Sequence, residues 1–483
     1  MVQKVVIEPV TRIEGHAKVV VHLGDDSQVE RAFFIVNEFR GFEKFCEGRM
    51  FFEMPQITER ICGICPVSHH LVSVKACDQI LGVEAPRPAQ LLRELMHMGQ
   101  VIQSHSMHFF ELAGPDLLLG FDADPAIRNV AGLYAANPEL VVKAIKLRKF
   151  GQSLISTLGD RRIHPNFAVP GGVNQALDAE DRDALLAEID TMIGYVQEAL
   201  TIIKDWTDHN RTLLEEFASF PSGYMGLVSP DNAVELYDGQ LRHVDEQRRE
   251  LHRFDGGEYL NHIAEHVEPW SYLKFPYFRT GGYPGGVYRV GPLGRLNAAD
   301  KMATPLAQQE YEIYHQIRGG QVIEGTLYYH YARLVEDLYA VERARQILED
   351  REVLSREILC TGRVTNQEGV GVLEAPRGTL FHHYWVDENG QLERVNLIVA
   401  TGNNNHAMSR AVEEVAKRYV DGANIKEGAL NRIEAAIRAY DPCLSCSTHA
   451  WGQMPLELVI LDSQRREVRR IMPAPGAKPV GKR

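Results

Sequence analysis

Arg60-Ile61-Cys62-Gly63-Ile64-Cys65-Pro66-Val67-Ser68-His69 sets two thiols two residues apart, a spacing that turns both sulfurs to one side, where they can share a metal. Asp441-Pro442-Cys443-Leu444-Ser445-Cys446 repeats the spacing, with Cys443 following Cys65 by 378 residues. Four thiolates make a soft, all-sulfur site suited to zinc, iron or nickel. A structural zinc clip is the ordinary alternative, but such modules close over about 15–20 residues. A chain with a large core gains little from a clip of that kind. A redox dithiol fits less well, because neither pair follows a βαβ pattern. A metal that joins the two ends of the chain is therefore the reading to test.

Outward from the first pair, the N-terminal forty residues read as strands. Segments 5–7, 17–23 and 32–36 are apolar and β-branched, and Gly24-Asp25-Asp26-Ser27 suits a hairpin turn. Helical periodicity then takes over. Residues 86–119 hold a long apolar-patterned stretch. Over 181–206, Leu185, Ile189, Met192, Val196, Leu200 and Ile203 recur at steps of three or four, one stripe of an amphipathic helix starting near Asp178 or Asp181. Segment 338–348 is similar. Strands return at 379–386 and 395–400 around Asp387-Glu388-Asn389-Gly390, and helix again from about 408 to 440. The Gly-, Pro- and Tyr-rich stretch 220–300 reads as an irregular surface excursion. The expected architecture is α+β and predominantly α: one large helical body with small antiparallel sheets near both chain ends.

The composition bounds the function. The 483 residues are 45% hydrophobic and 24% charged, with 52 basic against 65 acidic residues and a net charge of −13. Such a surface repels polyphosphate, so nucleic acid is not an expected partner. No window reaches the ~18 consecutive apolar residues of a membrane span. The N-terminus lacks the apolar core and small-residue site of a secretory leader. Seven cysteines, odd in number and sparse, fit a reducing cytoplasm better than a disulfide scaffold. Cys46, Cys77 and Cys360 match no metal spacing and read as buried small hydrophobes or incidental thiols.

Thr11-Arg12-Ile13-Glu14-Gly15-His16, the stretch from Arg60 to His69, and the stretch from Asp441 to His449 together resemble RxEGH, RxCGxCxxxH and DPCxxCxxH. These patterns mark the large, catalytic subunit of nickel–iron hydrogenases. Arg40-Gly41-Phe42-Glu43 and Glu374-Ala375-Pro376-Arg377-Gly378 match as well, so the resemblance spans nearly the whole chain. The runs 38–45, 270–277 and 449–456 are most similar to the cytoplasmic, bidirectional, NAD-linked class.

The resemblance implies a set of roles. Cys62, Cys65, Cys443 and Cys446 bind nickel, with Cys65 and Cys446 also bridging to iron, which completes its shell with carbon monoxide and cyanide. Cys443 also serves as a terminal thiolate base. Glu14 is the next proton carrier, its pKa raised in a partly dry cleft. Arg377 lies over the open metal position, and Thr401 donates to a cyanide. His69, four residues past Cys65, donates to that cysteine's sulfur. Glu43 and His449 hold a separate divalent cation such as magnesium. Too few cysteines remain for four-thiolate iron–sulfur clusters, and no GxGxxG follows a strand, so electrons need another polypeptide. The implied partners are an iron–sulfur small subunit, flavin- and cluster-bearing diaphorase subunits, nickel-insertion factors and a peptidase. That peptidase cuts His449–Ala450 and divides the chain into a catalytic body, 1–449, and a removable tail, 450–483, in which Leu456, Leu458 and Ile460 alternate as a strand would. A hydrogen sensor with the same site is the functional alternative.

Overall fold

The computed structural model describes residues 3–36, 38–422, 424–448, 458–461 and 467–471. Strands Gln3–Ile7, Lys18–Leu23 and Val29–Ile35 form an antiparallel sheet in sequence order. Val19, Val21 and Leu23 alternate inward along the central strand, as a half-buried strand requires. The Ser27 amide closes the expected turn on the Gly24 carbonyl. Segment 8–17, between the first two strands, carries Arg12, Glu14 and Gly15.

Helices build the body. Pro66–Leu81 begins directly after Cys65, with Pro66 in the first turn where its missing N–H costs nothing, and ends at Gly82 in the left-handed region (φ 62°). The expected stretch 86–119 is a helix over Arg87–Met107 that continues through a π-turn at His108–Ala113 into Gly114–Leu119. It crosses Pro138–Gly159 closely at Gly99 and Gly151, where a Cβ on Gly99 would lie 2.8 Å from the Gly151 carbonyl oxygen. The periodic stripe from Leu185 to Ile203 lies on the single helix Ala179–His209 and is buried along its length. Tyr329–Glu349 runs through the centre, nearly all of it buried.

Two regions differ from the sequence expectation. Segment 220–300 is not irregular. Gly223–Val228, Gln240–Val244 and Glu250–Phe254 form an antiparallel sheet, extended by a short parallel pairing with Tyr288–Arg289, and Ile263–Val267 pairs with Lys274–Phe278. These strands are two to six residues long and interrupted by Gly and Pro, too short for period-2 alternation to stand out. The single helix expected over 408–440 is two, Asn405–Tyr419 and Glu427–Ala439. The break is at Gly422, whose Cβ, if present, would lie 2.4 Å from the Ser27 carbonyl oxygen of the N-terminal hairpin.

The second terminal sheet, Glu368–Ala375, Gly378–Val386 and Leu392–Ile398, is antiparallel in sequence order. Ala375 pairs with Gly378, so Pro376 and Arg377 form the tip of a two-residue turn. In the tail, Leu458–Leu461 pairs antiparallel with Glu467–Ile471. Leu456, His449 and Ala450 lie outside the described residues. Among the described residues, no helix is long and apolar enough to cross a membrane. The predominantly helical body with small sheets toward both ends is the expected architecture.

Candidate metal centre

Each cysteine pair follows a turn that the surrounding body holds. For the first, Gln100 and Gln103 each donate from Nε2 to the Ile64 carbonyl at 2.9 Å, and the Arg40 guanidinium donates to the Ile61 carbonyl. The Ile64 amide points at Cys62 Sγ, 3.2 Å away. For the second, the chain leaves helix Glu427–Ala439 through Tyr440 and turns at Asp441, a non-glycine residue held left-handed (φ 53°). The Cys443 amide then donates to Thr401 Oγ1 at 2.9 Å.

The N-terminal loop clasps this second turn. Leu444 donates its amide to the Glu14 carbonyl at 3.1 Å, and Ser445 donates to Glu14 Oε2 at 3.0 Å. Gly15 is required here: its φ is +83°, and a Cβ would lie 2.7 Å from Leu444 Cβ. Arg12 anchors the same loop to the body through the Leu112 carbonyl (2.7 Å) and Asp116 (2.5 Å). At the far end of the turn, the Arg40 and Gly41 amides donate to the Thr448 carbonyl at 3.0 and 3.3 Å. Loops from both chain ends thus close over one point.

That point is a cluster of four sulfurs, all within 4.8 Å of one another. Cys62 and Cys443 approach to 3.2 Å, Cys65 and Cys446 to 3.4 Å, and Cys443 and Cys446 to 2.8 Å. All four are buried and none is in a disulfide. Among the described residues this is the one grouping of three or more potential ligands. Burial pushes Cys443 and Cys446 well above the ordinary thiol range, while hydrogen bonds from Cys443, Cys446 and Cys65 hold Cys62 well below it. A bound cation would compensate the desolvation that opposes ionising Cys443 and Cys446.

Arg377 supplies one fixed positive charge beside them. Its Nε donates to the Asp441 carbonyl (2.7 Å) and Nη2 to Asp441 Oδ1 (3.1 Å), whereas Nη1 is buried without a hydrogen-bond partner. Desolvation opposes the charge, but Asp441 and the cysteines Cys443, Cys65 and Cys62 outweigh it and hold the guanidinium well above its ordinary pKa. An unpaired buried donor beside a soft sulfur cluster fits a metal centre that carries a small acceptor ligand.

The turn bearing Arg377 is itself clamped by Arg295. That guanidinium pairs with both oxygens of Glu336 (2.6 and 2.5 Å) and with Glu374 (2.8 Å), and it donates to the Ala375 carbonyl (2.9 Å). All three side chains are fully buried, so removing one partner would leave an uncompensated charge. Neither Arg295 nor Glu336 belongs to a sequence motif, and single-sequence reading offers no signal for them.

A family profile described as nickel-dependent hydrogenase matches residues 40–127 and 231–449, and one described as HoxL-like matches 4–39. The chain is 45% identical over 481 residues to the NAD-reducing hydrogenase HoxS subunit beta of Cupriavidus necator, covering 96% of this chain and 99% of that one. The chain belongs to the nickel-dependent hydrogenases. It is a large, catalytic subunit, and the structural-zinc alternative falls away. An F420-non-reducing hydrogenase chain of Methanothermobacter thermautotrophicus is 42% identical, with 97% and 100% of the two chains covered. The solved structure of an NAD+-reducing nickel–iron hydrogenase in the H2-reduced state matches this hydrogenase chain with a TM-score of 0.90 at 44% identity, over 92% of this chain and 99% of that one.

The remaining expected site residues fall as follows. His69 is buried in the site, with its Nε2 3.3 Å from Cys446 Sγ. The i, i+4 spacing brings the His69 amide to the Cys65 carbonyl (3.5 Å), while the side chain reaches across to the second pair. Thr401 is buried with its oxygen accepting from Cys443, leaving its own hydrogen for another acceptor. Glu43 accepts from the Leu397 amide at 2.8 Å and lies 4.0 Å from Lys274 Nζ, and burial raises its pKa. Its expected co-ligand His449 lies outside the described residues. Cys46 and Cys77 are fully buried; Cys360, half-buried, faces the Glu84 and Gly171 carbonyls at 3.2 Å.

Proposed function

We propose that this protein interconverts dihydrogen with protons and electrons at a nickel–iron centre, and that a small iron–sulfur subunit, together with a diaphorase, carries the electrons to a nicotinamide acceptor in the cytoplasm. The four-sulfur cluster beside Arg377 is the observation that carries the reading. Cys62, Cys65, Cys443 and Cys446 would hold the nickel–iron centre, whose iron would also carry carbon monoxide and cyanide. When bound, the group supplies the open position at which dihydrogen splits heterolytically. Every other task falls to the protein.

Cys443 Sγ is the assigned proton acceptor. The Glu14 carboxylate, held through Oε2 by the Ser445 amide two residues along, is the next carrier. Arg377, with Nη1 unspent, orients what sits over the metals, and Thr401 and His69 donate to the ligand set. Glu43 with His449 is proposed to hold a divalent cation. Glu14→Gln keeps an acceptor for Ser445 but loses the titratable group. Hydrogen–deuterium exchange and turnover should fall by about a hundredfold or more with nickel and iron retained; exchange at the wild-type rate would remove Glu14 from the path.

The electron path is inferred from the cysteines the chain has left after the metal centre and from its similarity to an NAD-reducing enzyme. The overall balance is H2 + NAD+ giving NADH and H+. Metal analysis and infrared spectroscopy of the purified complex, with hydrogen-dependent reduction of NAD and of a dye, test it. Nickel, iron and the bands of iron-bound carbon monoxide and cyanide are expected, with sustained turnover rather than the feeble turnover of a sensor. A complex carrying zinc alone would refute the assignment.

The tail 450–483 is proposed to be removed at His449–Ala450 once nickel is in place, the cut making closure of the site irreversible; the four sulfurs already lie together before any cut. Intact-mass measurement of the active protein should find the chain ending at His449. An active chain that retains residues 450–483 would overturn this.

A further inference from the structure

Behind the sulfur cluster, His69 leads into a run of buried polar groups whose other members the proposed chemistry does not use. His69 Nδ1 is 3.1 Å from His382 Nε2, His382 Nδ1 is 2.6 Å from the Tyr384 hydroxyl, and that oxygen is 2.8 Å from Ser73 Oγ. All four residues are 0–1% exposed. Two regular elements create the run. His69 and Ser73 lie four apart on helix Pro66–Leu81, and His382 and Tyr384 lie two apart on strand Gly378–Val386, so each pair shares one face of its element. The positions are set by packed secondary structure rather than by a loop.

We propose that His382, Tyr384 and Ser73 are positioning residues that fix the tautomer of His69 and align a series of donors toward the Cys446 sulfur. The proposal rests on the assignment of Cys446 as a metal ligand. A metal-bound thiolate carries no proton and only accepts, so His69 donates to it from Nε2. The neutral ring then accepts at Nδ1, from the Nε2–H of His382. His382 in turn accepts at Nδ1 from the Tyr384 hydroxyl. Tyr384 has one hydrogen, spent on His382, so the bond to Ser73 is donated by Ser73. Burial holds the Tyr384 phenol well above its ordinary pKa, which keeps it a donor. With every donor pointing one way in a low-dielectric interior, each bond polarises the next. The effect at Cys446 is to draw electron density from the sulfur, and through it from the metals, by way of groups that touch neither. Because Ser73 is itself fully buried, the run orients and polarises rather than conducting protons to solvent.

The test is infrared spectroscopy of the assembled holoenzyme carrying Tyr384→Phe, which deletes one hydroxyl and keeps the ring. With metal content unchanged, the bands of iron-bound carbon monoxide and cyanide should move to lower wavenumber, because a less polarised sulfur returns electron density to iron. Ser73→Ala should shift them in the same sense by less. Bands unmoved in Tyr384→Phe, or moved to higher wavenumber, would overturn the proposal. If Tyr384→Phe does not retain nickel, Ser73→Ala decides on the same bands: a downward shift supports the series of donors, and unmoved bands overturn it. Absence of the bands from the wild-type holoenzyme is a separate result, one that removes the metal assignment and this inference with it.

Discussion

The Cys443→Ala variant is expected to reach its folded shape and yet purify without nickel and without measurable hydrogen oxidation. Cys443 is fully buried and close to alanine in size, so the change removes little packing. What it removes is a sulfur 3.2 Å from Cys62 and 2.8 Å from Cys446, in a cluster with no other potential ligand grouped with it among the described residues. Three thiolates around a centre built for four lose both affinity and charge balance. The thermal midpoint of the isolated chain, measured with metal content and hydrogen-dependent dye reduction, separates folding from loading. Full activity in this variant would end the assignment.

The parts of this site that were legible in the sequence are those that local spacing encodes. A CxxC turn is a short-range device, and two copies declare themselves whatever lies between. An apolar, β-branched run marked the central N-terminal strand, and the Leu185–Ile203 stripe marked a long helix through the helical period. Long-range choices were not legible. The reach of His69 to Cys446 depends on how the second cysteine turn docks, which its own helix does not specify. The hold of Arg295 on Glu336 and Glu374 joins elements 41 and 79 residues away, and no periodicity announces it. His382 and Tyr384 carried a weak local sign, a polar pair at strand spacing inside an apolar segment, which gains meaning only once Ser73 and His69 are seen across from them.

Arg377→Lys conserves charge but not geometry. Arginine at this turn does two jobs with one planar group: Nε and Nη2 are committed to Asp441, and Nη1 is left buried beside the sulfurs. Lysine offers a single ammonium on a flexible stem and has no fixed fork to divide between two directions. If it pairs with Asp441 it withdraws from the metals; if it turns to the metals it strands a buried carboxylate whose pKa desolvation already raises. Because Arg295 clamps the turn through the Ala375 carbonyl, the backbone will not shift to rescue either contact. The centre should still assemble, with nickel, iron and infrared bands present, since lysine keeps a cation beside Asp441 and all four sulfurs remain. Turnover should fall by roughly a hundred- to a thousandfold, the scale of losing one preorganised donor from a buried reaction site. Equal rates in the two enzymes would mean that Arg377 serves only as the partner of Asp441, and that the unspent Nη1 has no part in the chemistry.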